Sequence, residues 1–211
     1  MPPVRGPSDV RTGVLVFSQD YRQRDRSGSW VMRSQFNLGT DLANTSAQQS
    51  ADSQFVSWLT RLERTQVLNE DNRLSLQLAT QLSPHNLLPP HQFKMRQRGF
   101  EQFDREGKPT DISGDNGMRF RLENQMTLSQ ASNTDTPLLT LIPFIDLGYA
   151  WGQGNPVRPQ QQFLGRTGLG LLVQPLLGFD IELNYLMNWG DLRTGSSTHN
   201  VYVTFGYQTL W

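Results

Sequence analysis

The sequence of 211 residues contains no cysteine. Disulfides, thiolate nucleophiles and thiolate metal sites are excluded with it. It has no apolar run of about 18 residues, so no transmembrane helix can be drawn. It has no surplus of either charge, 19 basic residues against 19 acidic ones, which argues against a nucleic-acid partner. Histidine occurs only at His85, His91 and His199. These stand far apart, and the first two flank a proline-rich stretch, so neither a helical metal pair nor a catalytic triad is visible. The opening from Met1 to Pro7 lacks a basic segment followed by an apolar one, so no signal peptide is read there.

The remaining hints of chemistry have plainer readings. His199 with Ser196 or Ser197 is the one serine–histidine candidate, but these serines lie in a Gly/Ser stretch where turn formation is the ordinary reason for serine. Gly168-Leu169-Gly170 lies in a strand pattern with no helix after it, which excludes a nucleotide loop. Asn44-Thr45-Ser46 fits a glycosylation sequon that chance alone supplies. Asp115 and Asp191 sit beside glycines, where a solvated turn is favoured over a Ca²⁺ ligand. The expectation is a protein without catalysis, cofactor or metal.

What is present is alternation. The stretch Leu138 to Trp151 puts Leu139, Leu141, Pro143, Ile145, Leu147, Tyr149 and Trp151 on one side, and Thr140, Phe144, Asp146, Gly148 and Ala150 on the other. Such period-two sorting is a strand signature, and an apolar face ending in Tyr and Trp suits a strand that meets lipid. Its one charge, Asp146, faces the other way and needs a partner or water.

Eight further strands follow from the same pattern, near residues 12–21, 30–38, 54–65, 74–82, 118–128, 163–174, 179–187 and 201–211. Arg119, Arg121 and Glu123 share one face of their strand and read as a wall that looks into water, opposite Met118, Phe120 and Leu122. The connections alternate between short, near residues 23, 68, 130 and 176, and long, near 45, 100, 157 and 194. The longest runs from Ser83 to Asn116 and holds four prolines. Outer-membrane barrels alternate short periplasmic turns with long external loops in this way. We therefore expect an all-β protein, an antiparallel transmembrane β-barrel in the bacterial outer membrane with the lipid bilayer as its surroundings. Residues 1–10 would be an irregular lead-in and 11–211 the barrel portion, of about nine strands. A porin-like channel, a barrel-assembly protein and a soluble β-rich binding domain are the alternatives.

Two segments carry a family resemblance: Gln97-Arg98-Gly99-Phe100 in the long connection, and Phe144-Ile145-Asp146-Leu147-Gly148. Together they resemble the outer-membrane transporters of two-partner secretion, the haemolysin secretion/activation (ShlB/FhaC/HecB) family. Residues 114–123 are similar to the family's re-entry from its sixth external loop, and 19–40 to its mid-barrel hairpin. The resemblance implies that the connection 83–116 inserts into the barrel lumen, and that Arg98 latches onto Asp146, flanked by Gly99, Phe100, Phe144 and Gly148. Gln97 stands where the family motif has Val, and Arg96 and Arg105 are the alternative arginines. It also implies an unfolded secreted exoprotein as substrate, and a last strand with Phe205, Tyr207 and Trp211 read by the barrel-assembly machinery. The family barrel has sixteen strands after periplasmic POTRA domains, so this chain would supply about the last nine strands, as a fragment.

Overall fold

The structure is a computed structural model that describes residues 13–40, 54–95, 112–131, 136–152, 161–176, 179–189 and 198–207. Nine strands pair in one antiparallel sheet: β1 (Gly13–Asp25), β2 (Gly28–Thr40), β3 (Phe55–Asn69), β4 (Asn72–Leu82), β7 (Asn116–Gln130), β8 (Pro137–Trp151), β9 (Gln161–Leu176), β10 (Phe179–Trp189) and β11 (Thr198–Tyr207). Their order follows the chain, as in a meander. Between β4 and β7 lie β5 (Phe93–Met95) and β6 (Ile112–Gly114), which pair with each other. The nine-strand expectation holds for the main sheet. The connection 83–116 was expected to be irregular, and instead holds this small hairpin and a 3-10 turn at Pro89–His91. Polar composition hid the two short strands, since three residues are too few for alternation to register.

Several strands extend beyond their expected ends. Arg22 to Asp25 read as a charged turn but continue β1, because alternation persists through them and the true turn is only two residues long. Asp25 makes that turn possible: its Oδ1 accepts hydrogen bonds from the Ser27 backbone N–H at 2.9 Å and from Ser27 Oγ at 3.1 Å. Asn69 repeats the device between β3 and β4, its Oδ1 accepting from the Asp71 N–H at 3.0 Å. A carboxylate or amide that bonds its own backbone two residues on is how Asx residues fix a turn.

One face of the sheet is apolar and exposed, with Phe17, Phe36, Trp58, Met118, Leu183 and Phe205 all open to the surroundings. So much exposed apolar surface on one continuous face marks a lipid-facing wall. One polar pair on it is closed internally, where Trp58 Nε1–H donates to Ser34 Oγ at 2.9 Å. Aromatic rings gather toward the ends of the central strands, Tyr149 against Trp151 and Phe163 against Trp189.

The opposite face carries the polar residues and the best-buried groups. There the β5–β6 hairpin packs on β7, β8 and β9, and Phe93, Met95, Ile112, Ala150 and Leu164 form one small core. Among the described residues β1 and β11 each pair on one side only, which leaves the outer backbone groups of both strands without a ladder partner.

Candidate functional site

Asp146 sits in mid-strand on the polar face of β8, 1% exposed. The register sets it across from Arg121 of β7 on one side and Arg166 of β9 on the other. Its closest partner is diagonal. Arg119 donates Nε–H to Oδ1 at 2.8 Å and Nη2–H to Oδ2 at 2.7 Å, the paired geometry for which a guanidinium and a carboxylate are matched. Arg121 Nη1 lies 3.7 Å and Arg166 Nη2 3.9 Å from the same Oδ2. One buried carboxylate is thus shared by three cations from both neighbouring strands. Burying it alone would cost several kcal/mol, and the surrounding guanidiniums offset that cost.

The network continues along β7. Arg121 donates through Nε at 3.2 Å and Nη2 at 2.7 Å to Glu123 Oε2, and Gln125 donates to Glu123 Oε1 at 3.0 Å. The Arg121 guanidinium also lies 4.5 Å from the centre of the Phe144 ring, in reach of a cation–π attraction. Arg119, Arg121 and Glu123, read from sequence as a polar wall, are therefore tied to one another and to Asp146. Sequence reasoning missed Arg166, which is 3% exposed. A signal for it existed: in Leu164-Gly165-Arg166-Thr167-Gly168 it is a lone charge at an alternating position.

Arg98, Gly99 and Phe100 lie outside the described residues, as do Arg96 and Arg105. On the Asp146 side, both carboxylate oxygens are already engaged by Arg119, a partner that the loop-arginine expectation did not include.

The two glycines at the hairpin's footprint have a steric reason. A Cβ on Gly148 would collide with Met95 Sδ and meet Ile112 Cδ1 at 3.1 Å. A Cβ on Gly117 would run into the Phe93 ring. Gly148 pairs with Arg119 in the ladder, so the hairpin rests directly beside the Asp146 group.

The foot of the hairpin is fixed by a second cluster. Asp115, 4% exposed, accepts the Leu87 N–H at 2.8 Å and Gln92 Nε2–H at 3.1 Å on its Oδ1. Asn116 Oδ1 accepts the Ser83 N–H at 2.7 Å, and Gln81 Nε2 donates to the His91 and Asp115 carbonyls at 2.9 and 3.2 Å. Asp115 was expected in a solvated turn. It is instead buried, because the returning loop brings orphan amide donors to it. The His91 ring packs tilted against Phe55, centres 4.7 Å apart, and burial holds its imidazole below the usual histidine range. The described residues contain no cluster of three or more metal-ligating side chains. Asp191 and Trp211 are outside the described residues, while Phe205 sits on the exposed apolar face.

The haemolysin secretion/activation protein ShlB/FhaC/HecB family profile matches residues 7–172. The chain belongs to this family. Two solved structures share the fold of this ShlB/FhaC/HecB member: CdiB from Escherichia coli, 16% identical with a TM-score of 0.67, and CdiB from Acinetobacter baumannii, 17% identical with a TM-score of 0.68. They cover 92% and 93% of this chain, but the chain spans only 36% and 33% of theirs. No curated protein matches the sequence. The described sheet is thus a portion of an antiparallel outer-membrane β-barrel, with one exposed apolar face and Asp146 on the opposite face.

Proposed function

We propose that the chain forms the wall and gate of an outer-membrane transporter that secretes an unfolded haemolysin- or adhesin-like partner exoprotein. The observation that carries this reading is the β5–β6 hairpin folded against the Asp146 face, since a segment packed there stands in the path of anything passing along that wall. Family membership supports a role in secretion. A hollow of about 640 Å³ at the short-turn end, with Gln125, Gln130, Thr140, Ile142, Leu172 and Gln174 among its lining residues, offers amides and a small apolar floor to an extended chain. Segment 83–116 is the plug, and Arg98, three residues beyond Met95, reaches the Asp146 group as its latch, with Gly99 and Phe100 beside it. Phe205, Tyr207 and Trp211 serve the barrel-assembly machinery as its recognition signal.

The test is export of the exoprotein by cells carrying Asp146→Ala. Secretion should fall, and the stretch between Met95 and Ile112 should become more sensitive to external protease. Unchanged export together with unchanged cleavage would refute the latch. A steady large conductance in planar bilayers, with no exoprotein added, would favour a passive porin instead.

A further inference from the structure

The hairpin and the charged group meet at Gly148, yet they are held by different forces. All described partners of Asp146, namely Arg119, Arg121 and Arg166, are on β7 and β9 and none is on the hairpin. The hairpin contributes apolar side chains instead. Met95 is 0% exposed, Ile112 5% and Phe93 8%. As β5 is extended, Phe93 and Met95 point the same way, two residues apart, and the wall offers them two glycine notches, at Gly117 and Gly148. Lys94 between them points outward and is exposed. The polar contact from β6 to the wall is neutral, Ser113 N–H to Gln162 Oε1 at 3.2 Å.

We infer that Gly148 and Gly117 form an apolar seat for Met95 and Phe93, and that this seat holds the hairpin on the barrel wall independently of the ion pairs at Asp146. The seat is a binding site for two alternate apolar side chains of an extended strand, and in this structure its occupant is the chain's own β5. Close packing makes such a fit sensitive to a single methyl group, because the notch has no slack for a Cβ. Charge at Asp146 has no such lever on the hairpin. As a statement about gating, this rests on the reading of the segment as a plug: loss of the latch alone would leave the hairpin in place, and opening would require Met95 to be pulled from its notch.

Hydrogen exchange on the full chain in detergent micelles tests it, with the amides of Phe93 to Met95 and Ile112 to Gly114 as the readout and those of β2 and β3 as the internal reference. Gly148→Ala should speed exchange in the hairpin roughly ten- to a hundredfold, the range an overpacked contact gives, with the reference amides unchanged. Met95→Ala, which removes the side chain that fills the Gly148 notch, should also speed exchange in the hairpin. Asp146→Asn should leave the hairpin amides as they were. Exchange unaffected by Gly148→Ala, exchange unaffected by Met95→Ala, or an equal effect from Asp146→Asn would each overturn the seat. Bilayer conductance of the same variants tests the gate separately. A freed hairpin with unchanged conductance sinks the plug reading while the seat stands.

Discussion

Removing the Asp146 carboxylate should be the most damaging single truncation on the polar face. At about 4 Å and an effective dielectric near 20, each cation gains roughly 4 kcal/mol of gross attraction from a carboxylate, most of it consumed by desolvation. Three guanidiniums crowd Asp146, and two of them remain nearly buried when it is gone: Arg121, with 11% of its side chain exposed, and Arg166, with 4%. Asp146→Ala therefore leaves buried cations facing each other and should cost about 3–5 kcal/mol, the range for breaking a buried pair. Arg119→Ala should cost less. Its own side chain is 29% exposed, and the carboxylate keeps two other partners. A double-mutant cycle between the two positions should give a coupling of roughly 1–3 kcal/mol. Urea unfolding in detergent, followed by loss of the heat-modifiable band, reads all four forms, and an unchanged denaturant slope confirms that stability alone has moved. A cost for Asp146→Ala below about 1 kcal/mol, or a larger loss from Arg119→Ala, would refute the shared-carboxylate account.

Two other outcomes follow from the foot of the hairpin. Asp115→Ala leaves the buried Leu87 N–H without its acceptor, a loss of about 1–3 kcal/mol, and should open new protease sites between Ser83 and Met95 while the sheet amides stay protected. His91 is held below its ordinary 6.5 by burial, so the unfolded segment takes up a proton before the folded one does. Stability from the neutral imidazole is complete above that value and declines as pH falls through it. Protection of the loop amides, corrected for the intrinsic slowing of exchange at lower pH, should fall from pH 7 to pH 5, and a His91→Gln variant should show flat protection over that window.

Period two made the sheet legible. From Leu139 to Trp151 every second residue is apolar, and that alone placed Asp146 on the polar face, whereas its alignment with Arg119 and Arg121 came only with the strand register. Turns were less legible. Arg22 to Asp25 look like loop by composition, and only the Asp25–Ser27 hydrogen bonds show where the chain reverses. The hairpin was hidden for another reason: Met95 and Gly148 are 53 residues apart, and nothing local ties a methionine in a polar stretch to a glycine in a strand. Its cue lay in the wall, where Gly117 and Gly148 give up side chains at positions that alternation would have filled.

The sheet's parity has a consequence of its own. Nine antiparallel strands in chain order make β1 and β11 run the same way across the membrane. Drawing these two edges together would produce a parallel seam, as would a second copy inserted in the same orientation. An all-antiparallel cylinder built on this wall takes an odd number of additional strands, entering against β1 in the opposite sense and leaving in that sense against β11. The seven that complete a sixteen-stranded family barrel satisfy the condition.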